Sequence, residues 1–169
     1  MIAGLQFAIR HPAKINRLAA ASGAYDLRGW QPEFQAAIPQ MSVDMLPPVL
    51  EQEYRKLAAN PSGFRELARK VIALQREPMA WEADVKTLKT PVLIIAGDAD
   101  GSTLEHTVSL FRLLGGGVMG DMGKPLPASR LAILPATSHT AVITQVNILH
   151  SLIEQFLTGE TPRSFFGGN

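Results

Sequence analysis

The sequence contains no cysteine among its 169 residues, which excludes disulfide bonds, thiolate metal sites and a cysteine nucleophile. A chain without cysteine suits a reducing compartment, so we expect a cytoplasmic protein. It also has no apolar run long enough to cross a bilayer, and we expect no membrane span. Neither sign of charge dominates, since 16 lysines and arginines face 15 aspartates and glutamates for a net charge of +1. Without a basic stripe, nucleic acid is not an expected partner.

What the sequence does contain is a large apolar fraction, 46% of residues, enough for one domain of this length to bury a core. Three short apolar runs have the length and composition of strands that are buried on both faces: residues 17–23, 91–97 and 129–135. Helical periodicity is found at the start of the chain, over 102–114 and over 140–157. Strands that alternate with helices predict an α/β fold with a parallel sheet and helices on both of its faces.

A long insert, residues 24–89, separates the first two predicted strands. Two stretches inside it, 48–59 and 61–74, have apolar residues at helical spacing. One interpretation is a helical excursion with a small core of its own. The other is a helical cap, or lid, over an apolar substrate pocket, because a long insertion between sheet strands needs some reason to exist. On that interpretation the candidate substrate-binding residues are Trp30, Met41, Met45 and Trp81.

Acidic and imidazole side chains follow two of the predicted strands. Asp98 and Asp100 come directly after the second strand, and His139 comes after the third strand and before a helix. Because parallel strands end at the same edge of a sheet, where ligands bind in such folds, we expect these side chains to be neighbours. An acid followed by a histidine, in that chain order, is typical of the last two members of a Ser-Asp-His triad. In a triad the imidazole accepts the proton of the nucleophile, and the carboxylate fixes the ring tautomer and stabilises the cation that forms.

The same residues also have structural interpretations. An aspartate can end a strand and cap the next helix, and for Asp98 this interpretation is favoured over catalysis. A calcium loop is a poor match, because its glycine comes too early in the motif. His150 is expected to pack inward on the last helix. A zinc site stays open as an alternative, although one of its four candidate ligands falls in the middle of a predicted helix: Asp98, Asp100, His106 and His139.

Three segments, taken in order and spacing, resemble the C-terminal half of an α/β hydrolase. "LQFAIRHPAKINRLAAAS" resembles the helix after the nucleophile elbow and the strand that follows it. "TPVLIIAGDADG" resembles the strand and turn that present the triad acid, and "LPATSHTAV" resembles the loop that carries the triad histidine. The likeness covers nearly the whole chain. It implies Asp100 as the triad acid, His139 as the general base, a small ester or related acyl substrate, no cofactor, and the insert as a helical cap.

The sequence departs from the family's pattern at one point, because it contains no Gly-x-Ser-x-Gly. The serine nucleophile and both oxyanion-hole amides are therefore missing. We expect a fragment, from a misassigned start codon or a truncated gene, that supplies the acid and the histidine but is inactive alone. The alternative is a non-catalytic binding or interaction module of the same fold. We further expect an open sheet edge that promotes self-association, a first helix that exposes Ile2, Leu5 and Ile9, a flexible loop at 113–125 and a frayed tail from residue 158.

Overall fold

A computed structural model describes residues 1–121, 125–162 and 165, and it has the predicted parallel α/β fold. Its helices and strands follow one another as α1 (Ile2–Arg10), β1 (Leu18–Ala21), α2 (Pro32–Ala37), α3 (Pro48–Leu57), α4 (Phe64–Gln75), α5 (Glu82–Thr87), β2 (Val92–Ala99), α6 (Leu104–Leu113), β3 (Arg130–Ser138) and α7 (Val146–Thr158). The three predicted strands are all present. The short helices α2 and α5 are additions to the predicted set.

The three strands form one parallel sheet in which β2 lies between β1 and β3. Ala20 of β1 pairs with Ile94 of β2, and Ile94 pairs in turn with Leu131 of β3. The apolar part of β2 is buried, because strands cover both of its edges and helices cover both of its faces. The carboxyl ends of the strands meet at one edge of the sheet, and this edge carries the candidate site.

Alternate residues of β2 enter two separate cores, as the two-residue period of a strand requires. On one face, Val92 and Ile94 pack with side chains of α1, α5 and α6. On the other face, Leu93 and Ile95 pack with side chains of β3 and α7, among them the fully buried Phe156. Full burial of a side chain of this size stabilises the fold by ~1.5–3 kcal/mol. Both cores therefore fix the position of β2 and of the residues that follow it.

The first helix does not expose the three residues that the sequence predicts to be exposed, Ile2, Leu5 and Ile9. Leu5 is fully buried in the core that α1, α5 and α6 share, and Ala8 is fully buried next to it. Ile2 and Ile9 on the same helix are half-buried. The prediction was wrong because α1 packs against β1 and α5, and this apolar surface comes from parts of the chain that are distant in sequence.

Residues 32–79 form a compact unit of their own, which we call the helical unit. It lies inside the predicted insert and contains α2, α3 and α4, of which α3 and α4 match the two helices predicted there. Arg76, just after α4, donates hydrogen bonds to the carbonyl groups of Ile38, Pro39 and Met41. These bonds hold the loop after α2 against the end of α4. The remaining residues, 1–31 and 80 onward, form the unit that contains the sheet.

Several element boundaries differ from the predicted ones. The N-cap of α6 is Thr103 and not Ser102, because the Thr103 hydroxyl accepts the amide of His106. The last helix begins at Val146, six residues later than predicted, because a 3-10 turn at Val142–Thr144 precedes it. His150 on that helix does not pack inward, since its side chain is 76% exposed.

Two predictions fall partly outside the described residues. The loop predicted at 113–125 includes residues 122–124, which are not among the described residues. The tail predicted from residue 158 includes residues 163–164 and 166–169, which are not among them either. In the described part of the tail, α7 continues through Thr158 and is capped by Gly159, whose φ of 80° is left-handed. Among the described helices, none combines the length and the apolar character that a bilayer span demands.

Candidate active site

Asp100 lies directly after β2, and four groups surround its buried carboxylate. Oδ1 lies 2.6 Å from Nδ1 of His139 and accepts the amide of Ser102 at 3.3 Å. Oδ2 accepts the hydroxyl of Ser22 at 2.7 Å and the amide of Gly97 at 3.2 Å. The Asp100 side chain is 1% exposed. Each carboxylate oxygen therefore has one side-chain partner and one backbone partner, which fixes the plane of the group.

The pKa of Asp100 reflects competition between burial and these donors. Burial raises the pKa, but hydrogen bonds from His139, Ser22 and the Gly97 amide outweigh it and lower the pKa from 3.8 to about 2. Asp100 is therefore a carboxylate at neutral pH and can only accept hydrogen bonds. Since Nδ1 of His139 must then be the donor, Nε2 of the neutral ring carries the lone pair that a general base requires.

His139 reaches Asp100 because the end of β3 is distorted. The register between β2 and β3 shifts between Gly97 and Ala99, and Ala136 takes a left-handed φ of 51°. A Cβ on Gly97 would lie 1.8 Å from the carbonyl oxygen of Thr137, so only glycine lets the two backbones come this close. The His139 side chain that follows is 44% exposed, which leaves its outer face accessible to solvent.

Asp98 has a structural role, as the sequence favours, but with a different partner. Its two oxygens accept the amides of Ala136 at 2.9 Å and of Thr137 at 3.0 Å, and these bonds lower the pKa of Asp98. It does not cap the next helix, because Thr103 fills that position. Asp98 therefore secures the distorted end of β3 two residues before His139.

The four predicted pocket residues lie in different surroundings. Trp30 is 3% exposed, and its ring meets the His139 ring edge-on with 5.7 Å between centroids. Trp81 packs against the core that contains Val92. In the helical unit, Met41 lines an apolar groove of about 360 Å³, and Met45 is 64% exposed. Of the four, the structure brings Trp30 into contact with the triad candidates.

His106 is explained by packing. Its ring stacks on Tyr25 with 4.1 Å between centroids, and its Nε2 accepts the Tyr25 amide. Burial lowers the pKa of His106, which keeps the ring neutral. Throughout residues 1–121, 125–162 and 165, no three histidine, aspartate or glutamate side chains are placed to hold one metal ion. The zinc alternative therefore has no geometric support in this part of the chain.

One residue next to Asp100, Ser22, was not predicted from the sequence. It follows β1, and its hydroxyl donates to Asp100 from 78 residues away in the chain. Its φ of 42° is left-handed, a conformation that residues other than glycine adopt infrequently. Its place in the sequence could have indicated it, because Ser22 comes at the end of the first predicted strand. The ends of the other two strands place Asp100 and His139 at the same edge of the sheet.

Neither a protein-family model nor a curated protein matches the sequence. Solved structures match its fold. A meta-cleavage product hydrolase from Pseudomonas fluorescens aligns with 92% of this chain at 18% identity and a TM-score of 0.54. An enol-lactonase from Burkholderia xenovorans aligns with 93% of it at 19% identity and a TM-score of 0.54. A proline iminopeptidase from Mycobacterium smegmatis aligns with 94% of it at 17% identity and a TM-score of 0.54.

The chain spans less than two thirds of these three structures, namely 60%, 62% and 64% of their respective lengths. At 17–19% identity the likeness is one of fold. The parallel sheet with helices on both faces, which the sequence predicts, is the arrangement that these structures share with this chain. The chain has the fold of the C-terminal portion of an α/β hydrolase.

Proposed function

We propose that this chain carries the acid and the base of a Ser-Asp-His triad that hydrolyses an ester or related acyl bond in a small substrate. The observation that supports the proposal is the 2.6 Å distance between Nδ1 of His139 and Oδ1 of Asp100, on a carboxylate that is buried and charged. In this role His139 is the general base and Asp100 orients its ring. The α/β-hydrolase fold of the chain is consistent with such chemistry but does not by itself assign it.

In the proposed reaction, Nε2 of His139 takes the proton of a serine hydroxyl while the serine oxygen attacks the carbonyl carbon of the substrate. The imidazolium that forms is stabilised by the charge of Asp100. The bond from Nδ1–H to Oδ1 keeps the ring in the tautomer that presents a lone pair to the serine. His139 then gives the proton to the leaving group as the scissile bond breaks, which leaves an acyl-serine. In the second half-reaction His139 takes a proton from a water molecule whose oxygen attacks the acyl carbon, and it returns this proton to the serine oxygen as the acid is released.

The serine of this reaction is not assigned to any of these residues. The sequence contains no Gly-x-Ser-x-Gly, and among the described residues His139 has no hydrogen bond to a serine hydroxyl. Ser22 is not a candidate, because it donates to the acid instead of to the imidazole. The proposal therefore assigns the nucleophile and the oxyanion-hole donors to polypeptide beyond these 169 residues.

We also infer that the apolar groove of the helical unit binds the hydrocarbon part of a ligand. Met41 lies in this groove among aromatic and aliphatic side chains that include Phe34 and Tyr54. Met45 does not line this groove, and its side chain on the surface of the same unit stays a separate candidate for contact with a ligand. Trp30 is the candidate for contact next to the imidazole. Trp81 packs against the core, which favours a role in the fold for this tryptophan.

The test of the proposed function starts from the coding sequence upstream of Met1. An in-frame Gly-x-Ser-x-Gly supports the proposal, and the longer protein should then hydrolyse an activated ester such as p-nitrophenyl acetate. His139→Ala should lower its kcat by ~10³-fold or more, the scale typical of triad losses. The matched control is His150→Ala, because His150 is an exposed histidine of α7. An unchanged kcat in His139→Ala contradicts the proposal, and a stop codon upstream favours the non-catalytic module instead.

A further inference from the structure

We propose that Ser22 is a positioning residue that locks the Asp100 carboxylate into the orientation in which it meets His139. The importance of this contact for turnover rests on the proposed function, whereas the positioning itself is a property of the folded chain. Ser22 follows β1, whereas Asp100 follows β2 and His139 follows β3. The three residues together connect the ends of β1, β2 and β3.

The first observation is the division of the carboxylate between two side chains. His139 lies on Oδ1, and Ser22 donates to Oδ2 at 2.7 Å, a distance typical of a charge-assisted bond from a hydroxyl to a carboxylate. The backbone donors to the same oxygens, Ser102 and Gly97, are longer at 3.3 and 3.2 Å. Rotation of the carboxylate away from His139 would break the short bond to Ser22. The bond from the Ser22 hydroxyl to Oδ2 is therefore the contact that most strongly prevents the carboxylate from turning away from His139.

The second observation is the backbone conformation of Ser22. Its φ of 42° is left-handed and costs a serine free energy that glycine would not lose. The Ser22 amide nevertheless donates to the carbonyl oxygen of Ile95 at 2.9 Å, so the residue is still bound to β2. A strained residue that is held on both its backbone and its side chain, with the side chain aimed at Asp100, fits a positioning role.

Two titratable groups, neither of them altered by a variant at position 22, bear on the Asp100 charge. One is His139, on the loop after β3. The other is the amino group of Met1, which donates to the carbonyl oxygen of Ala21 at 3.0 Å. Burial lowers the pKa of that amino group, and the Asp100 charge acts in the opposite direction. Variants at position 22 leave both groups in place, so a change in the titration of Asp100 reports the hydroxyl.

The test compares Ser22→Ala with Ser22→Gly in the 169-residue protein. Both variants remove the hydroxyl, but only glycine also relieves the left-handed backbone, so it keeps the test valid if alanine impairs folding. Carbon-13 NMR of the Asp100 carboxyl carbon, followed from about pH 6 down to about pH 1 so that the parental midpoint is reached, should give a pKa higher by about one unit in both variants. The Nδ1 proton of His139 should exchange faster with solvent in both.

Ser109→Ala is the matched control, because it removes a serine hydroxyl that contacts the Tyr25 hydroxyl at 3.1 Å elsewhere in the same unit. It should leave the pKa of Asp100 unchanged. The proposal is overturned if Ser22→Ala and Ser22→Gly both titrate as the parent does. It is also overturned if only the alanine variant shifts, since backbone strain would then be the cause. Neither readout needs turnover, so inactivity of the longer protein would count against the proposed function alone.

Discussion

Two aspartates that stand two positions apart, Asp98 and Asp100, have different partners and different exposure. Asp100 is buried and contacts the imidazole of His139. Asp98 is exposed and accepts two backbone amides at the end of β3. Asp100 therefore orients the His139 ring by direct contact, whereas Asp98 holds the backbone that leads to His139. Conversion of each to an asparagine separates these roles.

Under the proposed function, Asp100→Asn should abolish most of the activity of a longer protein that supplies the serine. The amide can present a donor to Nδ1 of His139, which favours the wrong tautomer, and we expect kcat to fall by ~10⁴-fold while the protein still folds. Asp98→Asn keeps one oxygen for the amides of Ala136 or Thr137, so kcat should fall by about 10²-fold at most. Steady-state kinetics measures the kcat of both variants, and thermal denaturation is the control for their folding. The opposite ranking would identify Asp98 as the acid.

The buried ring of His106 makes stability depend on pH in a defined window. Burial lowers the pKa of His106 in the folded state below 6.5, the value that the unfolded chain keeps. As the pH falls below about 6.5 the unfolded state binds more protons, so the free energy of unfolding decreases. The carboxylates of Asp26 and Asp100, whose pKa values are also lowered, lose their contributions below about pH 4. The two windows are therefore separate.

We expect urea denaturation to give a lower free energy of unfolding at about pH 5 than at about pH 7. His106→Phe retains a ring against Tyr25 but has no nitrogen to protonate, so this decline should become smaller, while stability at neutral pH is reduced. The part that stays belongs to the Met1 amino group, whose pKa burial also lowers. His150→Phe, at an exposed position of α7, is the control and should keep the parental decline. A decline of equal size in the parent and in His106→Phe would show that another group is responsible.

At the scale of elements, the close approach of β2 and β3 depends on Gly97. An added Cβ would meet the carbonyl oxygen of Thr137 at 1.8 Å, and a backbone atom cannot move aside as a flexible side chain can. We expect Gly97→Ala to lower the free energy of unfolding by ~1–3 kcal/mol, the usual cost of overpacking. Gly101→Ala is the control, because its Cβ would lie 3.5 Å from His139 in ordinary contact. Equal losses in the two variants, measured in urea, would contradict this explanation.

The elements that could be predicted from the sequence are those whose pattern is local. The run that became β2 is apolar on both faces, which a buried parallel strand requires, and α3 and α4 repeat apolar residues at helical spacing. Asp100 and His139 could be found because each directly follows a strand. Their contact at 2.6 Å needed the parallel order of the sheet, which the alternation of strands and helices implied.

What the sequence could not reveal depends on partners that are distant along the chain. Burial of Leu5 depends on α5 and α6, and the role of Ser22 depends on a carboxylate 78 residues away. The cap of α6 moved from Ser102 to Thr103 because Ser102 pairs with Trp30 in an isolated bridge and donates its amide to Asp100. Periodicity carries no information about such contacts.

At the scale of the whole molecule, β1 is bonded to β2 along one edge, and within the described residues no strand pairs with its other edge. The amides of Leu18 and Ser22 donate to β2, so by alternation the amides of Ala19 and Ala21 face the open edge. The Met1 amino group meets the carbonyl oxygen of Ala21 there. An open edge of this kind can pair with a second copy of the chain.

We expect the 169-residue chain to self-associate in a concentration-dependent manner, as seen by analytical ultracentrifugation. Ala19→Pro removes an amide from the open edge without breaking a bond to β2, so it should shift the equilibrium toward the monomer. Ala20→Pro removes an inward amide and is the contrasting variant, which should destabilise the sheet itself. A parental chain that stays monomeric at all concentrations tested would contradict the role of this edge.

The contacts of Asp100 also have a consequence for the order of events in folding. Ser22 and His139 approach the carboxylate from 78 and 39 residues away, so both bonds close long loops of chain. Contacts across such loops cost more entropy to close and form slowly. The carboxylate acquires its partners when β1 and β3 have both docked on β2, and the site therefore matures late. In a refolding time course, burial of the Asp100 carboxylate should therefore coincide with completion of the three-stranded sheet.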